Sequence, residues 1–151
     1  VLEMIHGAMA RWGFPGLRIA VAGLNPHAMG EEEDQEITPA VAEARVRGIN
    51  AFGPLSPDTV FRSCADGEYD LVLAMTHDQA NIAQKTRELA GIVSIADPSD
   101  PLIRVSVSHG TAYDIAGRGV ARHESILEAI RVSASFALGQ GFPRGGTQGA
   151  A

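Results

Sequence analysis

Three histidines and two aspartates in this sequence stand directly after short apolar runs. His27 follows residues 17–23 (LRIAVAG) by way of Leu24-Asn25-Pro26. Asp58 follows 49–55 (INAFGPL) by way of Ser56-Pro57. His77 and Asp78 interrupt 71–79 (LVLAMTHDQ), and His109 follows 103–107 (IRVSV) and Ser108. Neutral imidazole is a good ligand for a divalent transition metal, and catalytic metal sites keep a position open for water or substrate. His27 and His77 are therefore candidate ligands. The candidates for a third are His109, Asp58, Asp78 or a residue outside this sequence. Pro26 fixes its own φ and restricts Asn25, which suits a rigidly held ligand. Lys85 and Arg104 can receive a carboxylate or phosphate. Gly110-Thr111, read as a helix start, offers backbone N–H groups to an anion.

Other polar residues have structural readings. The acidic run 31–36 (EEEDQE) reads as a solvated helix start, where carboxylates suit the positive end of the helix dipole. Asp58 also reads as the cap of a short helix over 59–63. Cys64 has no histidine close to it in sequence, which argues against a nucleophilic role. Neither GxGxxG nor a Walker sequence occurs, so no standard nucleotide fingerprint is present.

These residues need elements to hold them. The apolar runs read as buried strands, and in an open α/β sheet ligands sit beyond the carboxyl ends of the strands. If the strands are parallel, the four polar ends converge on one edge. Helices are expected between them. Leu2, Ile5, Met9 and Trp12 share one face. Ile37, Val41, Ala44 and Val46 share another, closed by Gly48. Further helices are expected over 80–90, briefly from Gly110 through Tyr113 and Ile115, and over 124–138. The last should turn Ile126, Leu127, Ile130, Ala134 and Leu138 to the core. A short strand is expected at 92–95, a turn with two prolines at 97–101, and a disordered Gly-rich tail at 139–151. The alternation gives an α/β fold with a largely parallel sheet.

The 151 residues suffice for one domain with a sizeable core, here expected over 1–138. An apolar fraction of 45% and a charged fraction of 20% are ordinary for a globular chain. A net charge of −6 without a basic face argues against nucleic acid. A lone cysteine excludes an internal disulfide and suits a reducing cytoplasm. No apolar run approaches the roughly 20 residues that span a membrane. The first residues, from Val1 to Trp12, read as the middle of a folded chain, so a fragment of something longer is expected.

Five segments carry a family resemblance: VAGLNPHA at 21–28, GPLSPDTVF at 53–61, LAMTHDQ at 73–79, LIRVS at 102–106 and HGTAYDIA at 109–116. Together they resemble the C-terminal part of the 4-hydroxythreonine-4-phosphate dehydrogenase (PdxA) family of vitamin B6 biosynthesis and its catabolic relatives. The resemblance runs from about Leu17 to Leu138. It implies an α/β/α fold like that of isocitrate and isopropylmalate dehydrogenases, and a homodimer with the site near its interface. It implies NAD-dependent (or NADP-dependent) oxidation of a secondary alcohol, commonly followed by decarboxylation. It also implies a divalent metal (Zn, Mg, Co or Mn) held by three histidines. Two of these match His27 and His77; the third belongs to a TTH motif of the family's earlier half that this sequence lacks. Asp58 matches the aspartate near the substrate, and Lys85 and Arg104 match the cations at the substrate's anionic end. His109, Gly110 and Thr111 match residues supporting the loop or the cofactor.

The sequence departs from the biosynthetic pattern at Ala80 (HDQA for HDQG), Ser94 (VSI for VNI) and Ser108, where Asp is usual; the acidic run replaces a longer Gly-rich loop. Ala80 and Ser94 fall close to the substrate's anionic end. The substrate implied is 4-phosphohydroxy-L-threonine or a related hydroxy acid. The departures open a paralogue acting on a sugar-acid phosphate or an aromatic cis-dihydrodiol carboxylate. The other reading is a non-catalytic half that dimerises or binds a small anion. As an isolated fragment the chain is expected to be inactive.

Overall fold

The sheet is organised around β1 (Ile19–Ala22), whose four apolar residues are all buried. β2 (Ala51–Leu55) and β3 (Leu71–Leu73) pair with it on either side, both parallel, in the order β2-β1-β3. In this computed structural model the described residues are 1–87, 93–96, 102–107 and 110–143. The β1–β2 register slips between Ala20 and Ala22, so one extra β2 residue is accommodated at Gly53-Pro54. Pro54 has no N–H to give a ladder, which suits an edge strand with a bulge. Gly53 has φ +144, and a Cβ there would lie 2.4 Å from the Val21 carbonyl oxygen. Only glycine fits that approach.

Side-chain alternation along β1 divides the core into layers. Ile19 and Val21 face a cluster with Ile37, Val41, Ala44, Ile49 and Ala51, against which Leu2 and Ile5 of α1 (Leu2–Arg11) also pack. Val41 and Ala44 come from α2 (Thr38–Val46), which continues a π-helical turn, Glu33–Ile37. Ala20 and Ala22 face the opposite way, towards Val60 and Phe61 of α3 (Val60–Ala65). Helices thus cover both faces of the parallel sheet, giving the α/β/α layering. Gly48 ends α2 with φ +80. Val46, expected to be apolar lining, is 88% exposed because it falls off the buried stripe.

Several expectations need correction. The strand at 103–107 does not join the parallel sheet. β4 (Val93–Ala96) and β5 (Arg104–Val107) form a separate antiparallel pair, with Ser94 opposite Ser106 and Ala96 opposite Arg104. Three polar strand ends therefore share the edge, not four. α4 (His77–Arg87) begins at His77 rather than Ala80, so His77 and Asp78 lie in a helix's first turn; residues 88–92 lie outside the described residues.

The final helix, α5 (Glu124–Ala137), buries Ala129, Val132, Ser135 and Phe136, while Ile126, Ile130 and Leu138 are exposed. The expected face was the wrong one. The Phe136 ring stacks on Trp12 at 5.2 Å and meets Phe14 edge-on at 5.6 Å. This aromatic contact with the end of α1 and the segment after it decides the helix's rotation. Residues 139–143, assigned above to a disordered tail, extend this cluster. Phe142 packs against Phe14 and Phe136, and the Gly141 N–H donates to the Trp12 carbonyl at 2.7 Å. Residues 144–151 lie outside the described residues. Among the described residues no helix is long and apolar enough to cross a membrane.

Candidate functional site

β1, β2 and β3 point the same way, so the segments leaving their carboxyl ends are neighbours. His27 lies in the segment after β1 and His77 opens the helix after β3. Both side chains are exposed, and their ring nitrogens make no hydrogen bond within the described residues. The His27 turn is tightly specified. Asn25 Oδ1 accepts the His27 N–H at 2.8 Å, and the Asn25 carbonyl accepts the Ala28 N–H at 2.9 Å. Ala28 has φ +52, a left-handed conformation unusual for a residue with a Cβ.

Gln79 joins the two histidine-bearing segments. Its Nε2 donates to the Gly23 carbonyl at the end of β1 (3.2 Å), and its Oε1 accepts the Met75 N–H after β3 (3.0 Å). Sequence reading gave Gln79 no role. Its signal was position: third in HDQ, two residues after His77 in the first turn of α4.

A cleft of about 1000 Å³ opens at this edge, lined by Pro26, Asp58, Phe61, Asp78, Gln79 and Ile82 among others. Asp58 is exposed, and its Oδ1 lies 2.7 Å from the Ser56 hydroxyl, which also reaches the Pro26 carbonyl. It does not cap the following helix: Thr59 holds the cap position and no side-chain cap bond is made. Asp78 is held below the ordinary carboxylate range. The Thr76 hydroxyl contributes most, followed by the N–H groups of Asp78 itself and Gln79 at the start of α4. It is thus engaged as a helix-start acceptor.

The remaining expected residues do not line this cleft. Lys85 is exposed on α4, two turns beyond His77, roughly 12 Å along the axis. Arg104 opens β5 and is exposed; the register makes Ser94 and Arg104 diagonal neighbours on the antiparallel ribbon. The described structure does not bring that ribbon into the parallel sheet's ladder. Gly110 and Thr111 line a second cleft, about 640 Å³, with Gly117, Val120, Glu124 and Ser125 among its walls. The helix they were expected to open is a single 3-10 turn, Tyr113–Ile115, with Ala112 at its cap, so it offers no helix N-terminus for an anion. His109 lies outside the described residues.

The donor set fits part of a metal site. Two imidazoles without competing hydrogen bonds stand at the ends of neighbouring strands, but no group of three His, Cys, Asp or Glu among the described residues could hold an ion. The acidic run adds no ligand. Glu33, expected to be solvated, is instead buried at 1% exposure, with Oε1 accepting the Asn25 N–H at 2.7 Å.

Comparison with known proteins agrees with this architecture. The family described as "Pyridoxal phosphate biosynthetic protein PdxA" matches residues 1–133. A protein of Novosphingobium aromaticivorans named "Putative 4-hydroxythreonine-4-phosphate dehydrogenase" is 51% identical over 138 residues, covering 91% of this chain and 42% of its own. The D-threonate 4-phosphate dehydrogenase of Salmonella typhimurium is 43% identical over 142 residues, covering 91% and 43%. The crystal structure of a 4-hydroxythreonine-4-phosphate dehydrogenase from Klebsiella pneumoniae superposes with a TM-score of 0.79 at 43% identity, covering 91% and 43%. The chain thus spans about two-fifths of the length of the curated relatives it matches. Its matching motifs, sheet and strand-end residues agree with one another, and the chain belongs to the PdxA family.

Proposed function

We propose that this chain is the C-terminal part of a dehydrogenase, dependent on NAD (or NADP) and a divalent metal, that oxidises a phosphorylated four-carbon hydroxy acid. The relatives' names supply two such substrates, 4-hydroxythreonine 4-phosphate and D-threonate 4-phosphate. Both carry a carboxylate, a hydroxyl on the β carbon and a terminal phosphate. Oxidising that hydroxyl gives a β-keto acid, which loses CO₂. The observation that carries this reading is the placement of His27 and His77 after adjacent parallel strands, with Gln79 tying the two segments.

In this reading His27 and His77 each give a ring nitrogen to the metal, and a third histidine comes from outside this chain. The ion would supply Lewis acidity at the substrate's hydroxyl, and the nicotinamide would take up the hydride. Asp58 lines the cleft beside Ser56, where it can accept a substrate hydrogen bond and hold the substrate's orientation. Lys85, Arg104 and Ser94 receive the anionic end. His109, Gly110 and Thr111 border the cofactor. The enzyme works as a homodimer in the cytoplasm. Ala80 and Ser94, which stand where the biosynthetic pattern has Gly and Asn, keep threonate 4-phosphate beside hydroxythreonine 4-phosphate as a substrate of this reading. The test is NADH formation by the longest natural polypeptide containing this chain, offered both four-carbon phosphates. Turnover of either supports the reading; none with either, in the presence of Co²⁺, Mg²⁺ or Zn²⁺, contradicts it.

A further inference from the structure

Glu33 is the buried charged side chain of the described residues, inside a run of otherwise solvent-facing acids. Removing a carboxylate from water is costly unless specific donors compensate. Only one of its oxygens has a donor: Oε1 takes the Asn25 N–H at 2.7 Å, while Oε2 has no hydrogen-bond partner among the described residues. Two glycines make the slot. A Cβ on Gly23 would lie 3.0 Å from Oε1, and one on Gly30 would lie 2.8 Å from Oε2. A carboxylate inserted this closely against the backbone, for a single bond, acts on whatever that bond holds.

What it holds is the turn carrying His27. Asn25 takes the carboxylate on its N–H and returns two acceptors to the turn, Oδ1 to the His27 N–H and its carbonyl to the Ala28 N–H. The left-handed Ala28 costs on the order of 1 kcal/mol, so the turn needs outside support. We propose that Glu33 is a positioning residue: through Asn25 it fixes where the His27 imidazole stands for a divalent ion. The proposal rests on the reading of His27 as a metal ligand. It needs an acceptor oxygen at Oε1 and no negative charge, so glutamine should replace glutamate and alanine should not.

The test is titration of metal-free protein with Co²⁺, followed by calorimetry and by the visible bands of the bound ion. The longest natural polypeptide containing this chain is used as wild type, Glu33→Gln, Glu33→Ala, Asn25→Ala and His27→Ala. Glu33→Ala and Asn25→Ala should weaken Co²⁺ binding about 10- to 100-fold and shift its bands. Glu33→Gln should keep both close to wild type, and NAD affinity should not change in any of the three. Wild-type Co²⁺ affinity and bands in folded Glu33→Ala, with His27→Ala impaired, overturn this proposal alone. If Glu33→Ala does not fold, Glu33→Met, which keeps the bulk of the side chain without an acceptor oxygen for the Asn25 N–H, carries the same decision. Wild-type protein that binds Co²⁺ no better than His27→Ala overturns the metal reading, and this proposal with it.

Discussion

The Gln79 side chain reaches the Gly23 carbonyl at 3.2 Å and so fastens the end of β1 to the first turn of α4. The same amide accepts the Met75 N–H, so its donor and its acceptor are used on different strands. One side chain thereby sets the spacing between two histidine-bearing segments.

Replacing Gln79 therefore has a double effect. Gln79→Ala leaves the Gly23 carbonyl and the Met75 N–H without their partner in a half-buried setting, at a cost of about 1–3 kcal/mol. Gln79→Glu keeps the acceptor and loses the donor, so it should fall between wild type and alanine. Urea unfolding measures the stability, and a metal titration on the same variants should give the same ranking.

Gly53 sets a steric limit. Gly53→Ala must place a Cβ against the Val21 carbonyl, at a φ of +144 that residues with side chains rarely adopt. A loss of about 2–4 kcal/mol is expected, seen as a lower melting temperature. Gly16, which also has positive φ (+72) but nothing within 4 Å, should lose less on the same substitution.

The opposite edge of the sheet predicts a pH response. Arg18 precedes β1 and Asp70 precedes β3, and the two form an ion pair at 2.7 Å. The Arg18 guanidinium, then the Arg18 backbone N–H, lowers the Asp70 carboxyl from 3.8 to about 2. Because the folded value lies below the unfolded one, the contribution is complete above about 4 and disappears as pH falls through about 2. The pair is partly exposed, so screening reduces the contribution to about 1 kcal/mol. Asp70→Asn should lower stability at neutral pH by that amount and become equivalent to wild type near pH 2, as followed by denaturant midpoints across pH.

How far the fold could be read follows from where the information lies. β1, β2 and β3 were legible because each is a short apolar run bounded by loop residues, and their parallel order follows from the helices between them. The direction of β5 was also within reach. Only residues 97–103 separate β4 from β5, fewer than the dozen or so that a parallel crossover needs, so an antiparallel return was the physical choice. The α5 face was not legible. Its isoleucines have convincing helical spacing, but the rings that select Phe136 are Trp12 and Phe14, over a hundred positions earlier.

The site divides in the same way. His27, Asp58 and His77 are visible as polar residues ending apolar runs. Glu33 was hidden because its partner is a backbone N–H, which leaves no mark in the sequence, and because its four acidic neighbours, Glu31, Glu32, Asp34 and Glu36, look like solvent-facing charge. Gln79 was hidden for the same reason, since both its contacts are with the main chain.

The most direct measurement is the equilibrium metal content of the longest natural polypeptide containing this chain, as wild type and with His27→Ala or His77→Ala. Two imidazoles serving one ion require about one bound divalent ion per wild-type polypeptide and an affinity at least about 100-fold weaker in each variant, with the fold intact by circular dichroism. Variants that both bind the ion as tightly as wild type would contradict the account at its centre.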